Sequence, residues 1–167
     1  LDGRAQHPED FATAFESAFA RLQVALEMAC AAEGPWSRRA VGALRGALDF
    51  AAAEPAAANV LTNEALAEGV DGIHRYERLM VYIAGLLEGG RAESPHGDEL
   101  PPSTERSIAG GVATIVANRV GRGRPEALAE LTSEVVQFVL TPYLGAAEAR
   151  RLAAAAGADW PRSQPER

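Results

Sequence analysis

Two apolar stretches joined by Gly121-Arg122-Gly123-Arg124-Pro125 constrain this chain more than any other feature. Set at about 100° per residue, the second stretch, 126–141, and the turn after it predict one helix with an unusually wide apolar face. Leu128, Leu131, Val135, Val136, Phe138, Val139, Leu140 and Tyr143 fill an arc of about 200°, where a one-sided surface helix needs little more than about 100°. So wide an arc predicts two covered surfaces, one in the chain's own core and one against something else. The first stretch carries Gly110-Gly111 in mid-helix, at roughly 1 kcal/mol of lost helix propensity per glycine. Close approach of another helix would offset that loss. The pair is therefore expected to form a subunit contact, through Ile108, Gly111, Val112, Leu128, Leu131, Val135, Phe138 and Val139.

The rest of the chain reads as helix too. Nearly half of its residues are apolar, many of them alanine, with few aromatic residues to favour strands. Pro8-Glu9-Asp10 supplies a first helical turn. Phe11, Phe15, Ala18, Leu22 and Leu26 continue it at helical spacing as far as Glu33-Gly34. A second helix is expected from Pro35-Trp36 to Glu54, a short third over 56–67, and a long fourth over 72–89. Residues 91–102, with Ser94-Pro95 and Pro101-Pro102, read as a surface loop. Ser103 is placed to N-cap the next helix, with Glu105 in its first turn. Pro142 and Gly145 end the wide-faced helix, and an alanine-rich helix follows over 146–156. This predicts an all-α antiparallel bundle of about seven helices over 8–156, with 1–7 and 157–167 as flexible tails.

Charge and chemistry narrow the function. The formal net charge is −7, which disfavours non-specific binding to nucleic acid or anionic membranes. All the cationic side chains other than histidine are arginine. They are dispersed among acids, so a solvated surface explains them. No stretch has the roughly 18 uninterrupted apolar residues of a membrane span, and a cytoplasmic location is expected. The single cysteine, Cys30, excludes an internal disulfide and, between Met28 and Ala32, reads as a buried inert thiol. His7, His74 and His96 stand apart, with no zinc-binding His-Glu-x-x-His, no Glu-x-x-His pair and no phosphate loop. Neither catalysis, a metal nor a cofactor is expected.

The order of motifs resembles the C-terminal regulatory domain of the TetR/AcrR family of transcriptional regulators. Pro101-Pro102-Ser103-Thr104-Glu105 with Ile108-Ala109-Gly110-Gly111-Val112 carries the resemblance, as does Leu128-Ala129-Glu130-Leu131 through Phe138-Val139-Leu140-Thr141-Pro142-Tyr143-Leu144-Gly145. Upstream, His7-Pro8-Glu9-Asp10-Phe11-Ala12-Thr13-Ala14-Phe15 is similar to the family's first regulatory helix, and Glu54-Pro55-Ala56 with Asn63-Glu64-Ala65-Leu66 to its short middle helix. The resemblance implies a homodimer through the last two long helices and a small-molecule cavity among the middle ones. It also implies ligand-controlled DNA binding through an N-terminal helix-turn-helix, which the residues before Pro8 do not supply. What the resemblance implies for regulation is repression released by ligand.

For the cavity, Asn59, Thr62, Asn63 and Leu66 share one face of the third helix. They suit either a solvated surface or the few placed polar groups of an apolar pocket. Tyr76, Met80 and Ile83 lie on the fourth helix's apolar arc, and Leu44 and Leu48 on the second helix's stripe. Ser107, Gly111, Thr114 and Asn118 make a polar stripe beside Ile115; solvent explains it, unless burial on two sides lets Asn118 reach a ligand. The expected ligand-binding set is Leu44, Leu48, Asn59, Thr62, Asn63, Leu66, Tyr76, Met80, Ile83, Ile115 and Asn118. The competing expectation is a helical dimerisation module with no ligand.

Overall fold

A computed structural model describes residues 8–30 and 34–158, and every regular element among them is helical. Six long stretches make up the bundle: α1 (Pro8–Cys30), α2 (Trp36–Ala53), α3 (55–67), α4 (Val70–Leu87), α5 (Thr104–Gly121) and α6 (Thr132–Ala158). A helical turn at Gly89–Glu93 and 3-10 turns at Gly97–Glu99 and Pro125–Leu131 connect them. The expected tails 1–7 and 159–167 lie outside the described residues, whereas Gly157 and Ala158 belong to α6.

The last two expected helices join directly within the run Thr132–Ala158, which leaves six continuous stretches where about seven helices were expected. The run's single non-helical residue is Gly145, at φ 77° and ψ 162°, a conformation open essentially to glycine alone. The chain doubles back there. Gly157 returns to Ser133, whose Cβ would lie 3.3 Å from a Cβ at 157, and two stretches of this length meet at their far ends only if they run antiparallel. Pro142 lies inside the helix rather than ending it, and its missing N–H deprives the carbonyl four residues earlier of a donor. That carbonyl belongs to half-exposed Phe138. Before Thr132 the expected α-turns are instead the tighter 3-10 form, over Pro125–Leu131.

Two apolar clusters share α5 as their common wall. Ile108, Val112 and Val116 face Leu48 of α2 and Val135, Val136, Val139 and Leu140 of α6. Ala109 and Ala113, on the adjoining part of the same buried arc, pack with Phe11, Phe15, Leu22, Leu61 and Leu79 from α1, α3 and α4. Ser107, Thr114 and Asn118, on the other side of α5, are exposed, as solvent would explain. The packing also corrects the reading of the wide arc in α6. Leu128, Val135, Val136, Val139, Leu140 and Tyr143 are all 0–1% exposed within this single chain, so nearly the whole arc is absorbed by the chain's own core.

The stretch 91–102, read as surface loop, is organised on one side chain. Arg91 Nε and Nη2 donate to Glu105 Oε1 and Oε2 at 2.9 and 2.8 Å. Its Nη1 donates to the carbonyls of Gly97 and Leu100 at 3.1 and 2.9 Å, and Nη2 to that of Pro101 at 2.7 Å. Tyr143 Oη, on α6, donates to Glu105 Oε1 at 3.2 Å. Glu105 is thus a buried ion-pair partner rather than a residue serving the α5 dipole alone. Burial pushes its carboxyl up, but the Arg91 bonds and charge, its own backbone N–H and the Tyr143 hydroxyl together hold it below the usual range. Ser103 stands at the N-cap of α5 without the expected side-chain bond; Thr104 Oγ1 bonds the Pro101 carbonyl at 2.8 Å instead.

Candidate functional site

A mostly apolar cavity of about 350 Å³ lies between α1, α2 and α4. It is built where facing side chains are too short to meet. From α1 come Leu22, Leu26 and Cys30; α2 presents Ala40, Ala43 and Ala47 beside Leu44. On α4, Ile83 and Leu86 flank Gly85, and α5 and α6 close the inner side with Ile108, Val112 and Val139. A volume above roughly 300 Å³ with an apolar lining is the range occupied by small-molecule sites.

One end is pinned by Trp36. Its indole N–H donates to the Leu86 carbonyl at 3.1 Å, and its ring meets Tyr143 edge-on at 4.9 Å and 64°. Glu93 accepts from the backbone N–H groups of Trp36 and Ser37, satisfying two orphan donors at the start of α2. Gly89 and Gly90 let the following turn lie against the indole; a Cβ at 90 would come 2.6 Å from Trp36 Cη2 and 2.7 Å from Tyr143 Cδ1. Trp36, expected as a core anchor, is buried and forms part of the cavity wall.

Polarity is confined to one edge. Among the described residues Arg39 is the only charged one around the cavity, and Cys30 contributes the thiol. Cys30 is half-buried, and burial pushes its thiol up while the Arg39 charge draws it down, so at neutral pH the sulfur is a thiol. Arg39 is exposed, and its Nη1 donates to the Gly34 carbonyl at 3.1 Å.

Of the expected ligand residues, Leu44 and Ile83 line this cavity. Thr62 and Met80, again with Ile83, line a smaller void of about 60 Å³ beyond it. Leu22, Ala47, Ile83 and Val112 line both spaces and form the partition between them. Leu48 is fully buried in the α2–α5–α6 cluster, and Tyr76 and Ile115 are half-buried beside the two clusters. Leu66 is 53% exposed, and Asn118 faces solvent.

The asparagine pair serves packing. Asn63 Nδ2 donates to Asn59 Oδ1 at 3.0 Å and across to the Ala117 carbonyl of α5 at 3.1 Å. Asn59 Nδ2 donates to Glu64 Oε1 at 2.8 Å, and Thr62 Oγ1 to the Ala58 carbonyl at 2.7 Å. With those bonds made, the expected Asn59–Tyr76–Asn118 neighbourhood does not converge on a cavity. The lining that sequence reasoning missed is Leu22, Leu26, Ala43, Ala47, Gly85 and Leu86. Its legible signal was the alanine spacing of α2 opposite a glycine inside α4.

The expected contact residues also separate. Ile108, Val112, Leu128, Val135 and Val139 are buried in the core, leaving no side-chain surface for a partner. Leu131 and Gly111 are half-buried, and Phe138 is 44% exposed. A Cβ at 111 would stand 2.9 Å from Phe138 Cζ, so the helix approached closely at Gly111 is the chain's own α6. Gly110 has nothing within 4 Å of its Cβ position.

Fold and geometry define an all-α domain with an internal, edge-opened apolar cavity. Among the described residues no group of His, Cys, Asp and Glu converges as a metal site, and no helix is long and apolar enough to cross a membrane. Comparison with protein-family models, with curated proteins and with solved structures returns no match.

Proposed function

We propose that this chain is a small-molecule-sensing and dimerising domain of the TetR-like kind, regulating transcription through a helix-turn-helix reader N-terminal to α1. The observation that carries the reading is the cavity of about 350 Å³ between α1, α2 and α4. A core of this size ordinarily closes such a space, because each unfilled volume forfeits dispersion contacts. Here alanines and a glycine hold it open on three helices. A ligand entering it touches the first helix after the reader, α1, and also α5 and α6, the pair expected to meet a twin subunit. Binding that favours one orientation of two subunits over the other by a few kcal/mol is enough to shift the population competent for DNA.

The dimer part of the proposal rests on Phe138, an aromatic ring left 44% exposed beside Gly111, where α5 and α6 meet. Large aromatic side chains at the centre of a contact carry much of its binding energy. Native mass spectrometry of the purified chain tests both parts together. The expected spectrum is a dimer carrying a small apolar molecule from the expression host, or taking one up on titration. A dimer that accepts no apolar molecule supports the ligand-free dimerisation module instead. A monomer at micromolar concentration overturns the proposal.

A further inference from the structure

Gly85 lies in the last turn of α4, a position where glycine weakens a helix relative to alanine. No packing constraint accounts for it. A Cβ there would meet nothing within 4 Å, yet the residue lines the cavity. Gly85 is exposed and stands at the cavity's edge. Gly85, Gly89 and Arg39 are the exposed residues around the cavity, so its opening lies between α4 and the first turns of α2. The walls inward of that opening are apolar, and among the described residues the sole charge at it is positive. Among the described residues no carboxylate lies within ion-pair distance of Arg39, although its charge reaches the Cys30 thiol. The guanidinium is thus held at the rim by Gly34 with donors to spare.

We infer that the cavity takes an anionic amphiphile, a carboxylate on an apolar body, which enters past Gly85, lays its body along Leu26, Leu44 and Ile83, and leaves its carboxylate on Arg39. This rests on the sensor reading above and gives it a ligand class. Arginine suits the head group because its planar fork donates two parallel bonds to a carboxylate. An uncharged head of the same length would bury the same body but forgo those bonds, and a cationic one would be repelled. The inner void past Ile83 and Val112 is where a longer body would extend.

Titration calorimetry with decanoate and with decan-1-ol, on the full chain and on Arg39→Gln and Gly85→Leu, tests this. Decanoate is expected to bind at least about tenfold more tightly than decanol, the scale of one charge-assisted hydrogen bond, with the preference shrinking as salt is raised. Arg39→Gln is expected to abolish the preference while decanol affinity stays within about twofold. Gly85→Leu is expected to abolish binding of both, with helical circular dichroism retained because nothing stands where the new side chain begins. Equal affinity for the two probes overturns the carboxylate assignment and leaves the cavity reading standing. Undiminished binding by Gly85→Leu overturns the route past Gly85. Failure of both probes to bind the unsubstituted chain overturns this inference and the ligand part of the sensor reading together.

Discussion

Arg91 holds both carboxylate oxygens of Glu105, with Nε and Nη2 at 2.9 and 2.8 Å, and so ties the stretch between α4 and α5 to the buried start of α5. The acid is 5% exposed, and an unpaired carboxylate so placed is far costlier than the pair is stabilising. Arg91→Met is therefore expected to lower the melting temperature at neutral pH. The pH dependence gives the sharper readout. In the unsubstituted chain the Glu105 carboxyl is held below its ordinary value. Its stabilisation is thus fully present above the unfolded pKa of about 4.3 and is lost as pH falls through the lower folded value. Without Arg91, burial is opposed only by the Glu105 backbone N–H and the Tyr143 hydroxyl, so the folded value rises and the deficit of Arg91→Met should shrink as pH falls from 7 toward about 4.3. Thermal unfolding followed across that range checks this; a deficit independent of pH would place its cause elsewhere than Glu105.

Gly145 turns α6 back on itself with a backbone at φ 77° and ψ 162°. Gly145→Ala is expected to cost about 1–3 kcal/mol, although alanine favours helix everywhere else. Chemical denaturation measures it. A stabilised variant would mean that the reversal does not need this conformation.

Ala43 lines the cavity from α2 and is only half-buried, with the open volume in front of it. Ala43→Leu should fill that space and raise unliganded stability by about 0.5–2 kcal/mol, while weakening uptake of any apolar probe. In a closed core the same change would instead destabilise by about 1–3 kcal/mol, so the sign seen in thermal unfolding decides between an open cavity and a filled one.

Phe138 is the member of the expected contact set that stands half out of the chain. Phe138→Glu should dissociate the proposed dimer, as seen by sedimentation velocity, while helical content is retained. Gly111→Leu is the less clean probe, since its side chain would collide with the Phe138 ring within one subunit. A dimer unaltered by Phe138→Glu would remove this ring from the interface.

Much of the fold was legible because helix periodicity and its interruptions are local. Pro8, Trp36, Thr104 and Gly121 bound helices within a residue or two of where spacing, proline and glycine placed them. The expectation that failed was the destination of the wide arc in α6. Periodicity reports how much of a helix is apolar, not whose surface covers it. Val135, Val136, Val139 and Leu140 are covered by α2 and α5 of the same chain. Asn59 and Asn63 failed as cavity residues for a related reason, because a polar face reads the same whether its bonds go to a ligand or to the Ala117 carbonyl.

The residues alone carry the helical character of the described stretches, most of the helix breaks, and the lack of both clustered cysteines and a membrane-spanning apolar run. Those properties follow from backbone propensity, spacing and composition, which act within a few residues. Tertiary structure decided the pairing of Arg91 with Glu105, fourteen positions apart, and the reversal at Gly145 that returns Gly157 to Ser133. It also decided that Ala43 and Ala47 of α2 and Gly85 of α4 border one unfilled space. A cavity is a property of facing surfaces: each helix carries its own small residues legibly, but only packing reveals that they border the same space.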